Sequence, residues 1–234
     1  MNLRIIKLAS EATPKSISLG FDVGCALLFG GSIQCWRTWD RPGHMRPPVN
    51  LGTGVTATAI STLSLHSCAI LSGGQVKCWG SNKYGQLGLG DTVDRGEADV
   101  DALPTVDLGS GHTAVAIAVG FSHTCAILED GALKCWGLGR MLGQGSASNN
   151  LGDDADEMGD NLLAVDLGGR TALSLAAGKF ETCVLLEGGA VKCFSDQAGN
   201  LAPDVNLGAG RIATTVATRG GGHSCALLQG GRSE

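Results

Sequence analysis

The chain has 234 residues and a formal net charge of −5, with its 17 Lys and Arg scattered rather than blocked. It therefore lacks the basic excess that a nucleic-acid-binding face brings. No stretch approaches the roughly 18 consecutive apolar residues of a membrane span, and 43% hydrophobic residues argue against disorder.

Glycine is the informative count, 37 of 234, more than twice the usual share of roughly 7%. The glycines lack collagen's three-residue period. They pair instead as Gly30-Gly31, Gly73-Gly74, Gly188-Gly189 and Gly230-Gly231, each between two apolar runs, which is the hairpin punctuation of an all-β chain.

From the N-terminus, Met1 to Gly20 holds no apolar core of signal-peptide length, because Lys7 follows Ile5-Ile6. A repeat then begins. Its first copy carries Cys25 and Cys35, and the same spacing of ten recurs at Cys68 and Cys78, Cys125 and Cys135, and Cys183 and Cys193. A fifth copy opens at Cys225 and the sequence stops before a partner arrives. A small residue and two large aliphatics follow each first cysteine, as in Ala69-Ile70-Leu71. An aliphatic stands two positions before each second cysteine (Ile33, Val76, Leu133, Val191), and an aromatic follows it (Trp36, Trp79, Trp136, Phe194). Gly20, Gly120, Gly178 and Gly220 precede the first cysteine by five residues, with Leu63 the exception.

Upstream of each hairpin lies a β-branched and alanine-rich run, as in Val55 to Ile60, Val115 to Val119 and Ile212 to Ala217. Before that comes a short segment ending Leu-Gly: Val49 to Gly52, Val106 to Gly109, Val165 to Gly168, Val205 to Gly208. Each copy thus predicts four short antiparallel strands, apolar enough to be buried on both faces. Such units repeated radially are the blades of a β-propeller. The reading is one repeat domain over 1–234, with copies at about 1–45, 46–100, 101–160, 161–200 and 201–234. That makes about four blades and part of a fifth. A helical solenoid is excluded by the glycines and by the missing three-and-four spacing.

A hairpin centred on Gly73 sets Cys68 opposite Cys78. Directly opposed residues at a non-hydrogen-bonded pair bring their Cα atoms into disulfide range. The same construction works around Gly30, Asp130 and Gly188. Four disulfides within the blades and an unpaired thiol at Cys225 are the expectation, with reduced buried thiols as the open alternative. Zinc is disfavoured. His66, His123 and His223 stand two residues before a cysteine, but Val23 and Glu181 hold that place in the other copies. The histidines are expected to bond the backbone at a blade edge.

At the second copy the chain reads His66-Ser67-Cys68-Ala69-Ile70-Leu71, then Cys78-Trp79-Gly80-Ser81-Asn82 and Gly85-Gln86-Leu87-Gly88. The third keeps His123-Thr124-Cys125-Ala126-Ile127-Leu128 and Trp136-Gly137, with a shortened Leu142-Gly143-Gln144-Gly145. This resembles the repeat of the regulator of chromosome condensation family, in a cysteine-rich form like the bacterial and protist variants. The resemblance implies a seven-bladed propeller, of which this chain would be an incomplete part. It also implies guanine-nucleotide exchange on a small GTPase as one activity. Other implied settings are a secreted propeller that binds or inhibits an enzyme, and the repeat segment of a larger ubiquitin-ligase-like protein.

No catalytic constellation stands out. Ser195 lies in Phe194-Ser195-Asp196 rather than a Gly-x-Ser-x-Gly elbow, and no phosphate-cradling Gly-x-x-x-x-Gly-Lys run exists. Two insertions stretch the longer copies, Asp91 to Pro104 and Ser146 to Leu163. The second holds Asp153, Asp154, Asp156, Glu157 and Asp160, a solvated acidic loop whose spacing misses the EF-hand pattern for Ca²⁺. Loops on a rigid scaffold are where partners bind, so Tyr84, Arg95, Arg140, Met141, Asp153 and Asp154 are the candidate partner-binding rim. The expectation is a non-enzymatic scaffold for another protein, with no cofactor, no metal, no small-molecule substrate, no direct nucleic-acid contact and no membrane. Paired cysteines favour an extracytosolic setting. The lack of a visible signal peptide leaves the cytoplasm as the alternative.

Overall fold

A computed structural model of the chain describes residues 8, 12–37, 39–40, 46–145, 149–195, 203–219 and 223–230. Ile5-Ile6, Lys7, Gly220, Gly231, Asp196 and the 146–148 end of the second insertion lie outside them.

Fourteen strands are described, in repeating order. β1 (Pro14–Leu19), β2 (Val23–Leu28) and β3 (Ile33–Arg37) form one antiparallel sheet. β4 (Ala57–Leu63), β5 (His66–Leu71) and β6 (Val76–Gly80) form the next. β7 (Ala114–Val119), β8 (His123–Leu128) and β9 (Leu133–Gly137) follow, then β10 (Ala172–Ala177), β11 (Glu181–Leu186) and β12 (Val191–Ser195). β13 (Ala213–Arg219) and β14 (His223–Leu228) make a two-stranded fifth sheet. The first strands β1, β4, β7, β10 and β13 pack side by side in chain order, as the inner strands of successive blades do.

Burial follows the strand period of two. In β5, Cys68 and Ile70 enter a core shared with the third blade, while Ala69 and Leu71 enter one shared with the first. β8 repeats this with Ala126 and Leu128 on one side and Cys125 and Ile127 on the other. The apolar runs are continuous because both faces of each middle strand are covered. Hydrophobic burial therefore lies between blades, in four cores, and holds each blade to the next.

The expected hairpin register holds. Cys25 faces Cys35, Cys68 faces Cys78, Cys125 faces Cys135 and Cys183 faces Cys193. Their Cα atoms are 4.0–4.1 Å apart and their sulfurs are bonded. Cys225 is free and exposed. Gly74 explains one hairpin tip: its φ is +78°, and a Cβ there would run into Thr113 of the next blade. Its carbonyl accepts from Ala114 N at 2.9 Å, so the tip is clasped to the neighbouring inner strand.

The four-stranded expectation needs correction. The described blades are ladders of three strands, and the fifth has two. The Leu-Gly segments are extended but each adds a single ladder bond, from Val49 N to Ile33 O, Val106 N to Val76 O, Val165 N to Leu133 O and Val205 N to Val191 O, all 2.8 Å. Pairing stops there because the next side chain bends the backbone back. Asn50, Asp107, Asp166 and Asn206 each accept from the glycine amide two residues on, at 2.8–3.1 Å. Each segment also lies on the outer edge of the preceding hairpin, so sequence copies and spatial blades are offset by one strand.

Candidate interaction surface

The surface loops are built from the motif that follows each second cysteine. Trp79 ends in Gly80, whose φ of +109° and closeness to the Leu65 carbonyl exclude a side chain. Gly80 exchanges backbone bonds with Arg95 (2.7 and 2.9 Å), closing residues 81–94 into a loop. Buried Asn82 organises that loop from inside. Its Nδ2 donates to Asp91 O (2.6 Å), its Oδ1 accepts from Leu87 N (2.9 Å), and its own amide donates to Asp94 Oδ1 (2.6 Å).

The closed loop drives Leu87, fully buried, into the core between the second and third blades. The Gln86 carbonyl there accepts from Trp136 Nε1 at 3.0 Å and Thr124 Oγ1 at 2.9 Å. Gly-Gln-Leu-Gly is thus a plug one blade inserts into the next. In the third copy Leu142 takes the Leu87 role, packing with Phe194 in the following core. This corrects the motif reading: the counterpart of Gln86-Leu87-Gly88 is Met141-Leu142-Gly143, and Gln144 instead donates to Leu163 O at 2.6 Å.

The 81–94 loop meets the second insertion. Gly90 N donates to Gly152 O (3.1 Å), and Gly85 lies against Gly152 and Asp153. This brings the Tyr84 loop beside Asp153 and Asp154. Tyr84 is half-buried with Lys83 Nζ 5.4 Å from its ring centroid, and Arg140 and Asp154 are exposed. Arg95 is half-buried and occupied, its guanidinium paired with Asp91. Burial pulls the Asp91 carboxyl up, but the Val93 amide and Arg95 outweigh it and hold the group below its usual value. Met141 does not belong to the rim. It is 2% exposed, because the 3₁₀ turn Gly139–Met141 carries it inward beside Leu142.

Two acids of the second insertion hold it in place. Glu157 Oε2 accepts from the amides of Gly152, Asp153 and Asp154 at 2.9–3.2 Å. Asp160 accepts from Ser110 N and Oγ, and these bonds hold its carboxyl below the usual range. Among the described residues no group of three or more His, Cys, Asp or Glu side chains converges as a metal site.

His66 and His123 also need correction, since they bond side chains across blades rather than backbone at an edge. His66 Nε2 lies 3.0 Å from Thr124 Oγ1, and His123 Nε2 lies 2.7 Å from Thr182 Oγ1. Thr124 already donates to Gln86 O, so His66 must donate from Nε2. Burial pushes the His66 pKa down to about 3 and that of His123 to about 4, so both rings are neutral.

Sequence reasoning missed one recurring group. The residue before each second cysteine is Gln34, Lys77, Lys134 or Lys192, a polar side chain on an otherwise apolar strand. Lys77 Nζ donates to Val100 O and Asp101 O at 2.9 Å, and Lys134 Nζ to Leu108 O and Gly159 O at 2.9 Å. Each of these two ties a later insertion to its blade. The polar interruption repeated at one offset was the available signal.

Models of the regulator of chromosome condensation (RCC1) repeat match residues 73–127 and 114–142. The ultraviolet-B receptor UVR8 of Arabidopsis thaliana is 31% identical over 153 residues, covering 60% of this chain and 33% of the receptor. Among solved structures, human WBSCR16 superposes with a TM-score of 0.70 at 16% identity, over 97% of this chain and 61% of that one. Saccharomyces cerevisiae Prp20p, described with its binding to Gsp1p and histones, gives 0.68 at 17% identity, over 94% and 57%. Yeast RCC1 (Prp20) bound to Kap60 gives 0.67 at 18% identity, over 92% and 54%. The chain therefore spans a third of the plant receptor and little more than half of those structures. No described helix is long and apolar enough to cross a membrane. Repeat models match residues 73–142 and the described blades on either side are built on the same plan, so the chain is a β-propeller carrying repeats of the regulator of chromosome condensation (RCC1) type.

Proposed function

We propose that the chain is a non-enzymatic scaffold that binds another protein. The observation carrying this reading is the coupling of loops to frame. The loops at 82–94, 138–145 and 149–162 are fixed by buried Asn82, Leu87, Leu142 and Lys134, yet leave Arg140 and Asp154 exposed. A surface held rigid before contact loses little entropy on binding. The likeness to yeast Prp20, described with Gsp1p, histones and Kap60, supports a protein as the partner class.

Affinity capture with quantitative mass spectrometry tests this, using the wild type beside Arg140→Glu and Tyr84→Ala variants with unchanged circular dichroism. Partners lost with a surface variant support the scaffold reading. Substrate turnover that follows the purified chain would overturn it. Guanine-nucleotide exchange is the second reading, favoured by the Prp20 likeness. Nucleotide release from a GTPase panel showing no acceleration would dismiss it.

A further inference from the structure

A second exposed surface lies at the same end of the blades as the insertion loops but on the inner strands, where the turns joining each blade's first and second strands gather. These turns accept from the roots of the loops, Leu65 O from Ser81 N (2.9 Å) and Ser122 O from Leu138 N (2.8 Å). Those turns carry Phe21, Leu65, Phe121 and Phe180, which are 52%, 59%, 38% and 40% exposed. Large apolar side chains exposed at matching places in four consecutive copies form a patch rather than scattered surface residues. The side chains also meet. Phe21 of the first blade and Phe121 of the third stand edge to face with centroids 6.3 Å apart, a favourable aromatic geometry. Lys179 of the fourth blade places its Nζ 5.2 Å from the Phe121 centroid and 4.8 Å from that of Phe180.

The backbone beneath is fixed. The turns close through Gly20 N to Val23 O, Gly120 N to His123 O and Gly178 N to Glu181 O, at 2.7–2.8 Å. Adjacent inner strands are stapled by Thr62 N to Ser18 Oγ (2.8 Å) and Val119 N to Ser61 Oγ (3.0 Å).

The geometry points to this aromatic face as a docking site for a partner-protein segment that presents a carboxylate beside a large apolar side chain. The proposal rests on the scaffold reading and adds to it a second surface and the partner chemistry that surface selects. Charge complementarity selects the occupant. Lys179 rests on two rings and has no ion pair among the described residues, so an incoming carboxylate can pair with it without displacing another. Asp22 follows Phe21 on the first blade and repels a carboxylate from that side, whereas Glu181, which follows Phe180 on the fourth, has its Oε1 buried. The acidic group therefore seats at the third and fourth blades, and the apolar group over Phe21 and Leu65.

The test is selection of phage-displayed random peptides on the immobilised full chain, followed by fluorescence polarisation with the enriched synthetic peptide. Enrichment of Asp or Glu next to Phe, Leu or Trp is expected. Affinity should fall at least about tenfold for Lys179→Glu and for Phe121→Ser and stay unchanged for Gln75→Ala, exposed at the opposite end of its blade, all three with wild-type circular dichroism. Peptides lost with Arg140→Glu but not with Lys179→Glu overturn this inference while leaving the scaffold reading intact. Enrichment at neither surface overturns it, and capture that yields no surface-dependent partner counts separately against the scaffold. Sedimentation showing a wild-type dimer that Lys179→Glu dissociates overturns it in favour of a second copy of the chain.

Discussion

Acidification from pH 7 to pH 5 is expected to loosen the blades through His66 and His123. Both rings are buried, 2% and 0% exposed, and among the described residues neither Nδ1 has a hydrogen-bond partner. Burial holds their folded pKa values at about 3 and about 4, whereas an unfolded histidine titrates near 6.5. Below that pH the unfolded chain takes up protons that the folded chain refuses. Stability therefore falls as pH falls, and keeps falling until about pH 4 for His123 and about pH 3 for His66. At pH 5, about 1.5 below the unfolded value, about 1.36 kcal/mol per pH unit gives a loss of about 2 kcal/mol per ring and about 4 in total. The paired carboxylates Asp91 and Asp204 have lowered folded values, so their stabilisation is lost only as pH falls through and below the ordinary carboxylate range. The pH 7-to-5 window thus isolates the histidines. Urea unfolding followed by tryptophan fluorescence at both pH values is the assay. The comparison is a His66→Gln, His123→Gln double variant, whose amides can reach the same hydroxyls without titrating. A wild-type midpoint that does not move, or one that moves equally in the variant, would refute the reasoning.

Four further outcomes are expected. Leu87→Ala, at a fully buried plug, should cost about 2–5 kcal/mol in the same denaturation assay; a cost below about 1 kcal/mol would mean the plug is not packed. Lys134→Met leaves the Leu108 and Gly159 carbonyls without their ammonium donor. A loss of about 1–3 kcal/mol and faster hydrogen exchange across 151–162 should follow, and unchanged exchange there would contradict the tie. Alkylation without reductant should label Cys225 and block the eight paired cysteines; labelling of all nine would show reduced thiols. Replacing Cys68 and Cys78 by serine should cost about 3 kcal/mol or less, because the bridge closes a short loop, with faster exchange confined to β5 and β6.

How far the surface was legible differs residue by residue. Asn82 and Leu87 stood in a recognisable motif, and Arg140 and Asp154 are exposed as loop residues should be. Met141 looked like an equivalent loop residue, but a two-residue deletion relative to the second copy shifts it into the core. The aromatic face escaped notice because its members lie 44, 56 and 59 positions apart in sequence, from Phe21 to Leu65, Phe121 and Phe180. The weak signal was a large apolar residue three or four places before most first cysteines.

Local physics settled the hairpins. A short glycine turn fixes the register of the hairpin it closes, and that register alone sets each cysteine opposite the one ten residues on. The polar bookends of the Leu-Gly segments, Asn50 and Asp107 among them, were equally visible, but which hairpin those segments join was not, since one ladder bond carries almost no sequence signature. Partners between blades were decided only in three dimensions. His66 finds Thr124, Trp136 finds Gln86 and Lys134 finds Gly159 because apolar burial stacks one sheet on the next. That stacking force is non-directional, so it leaves no spacing rule in the chain from which such pairs can be read.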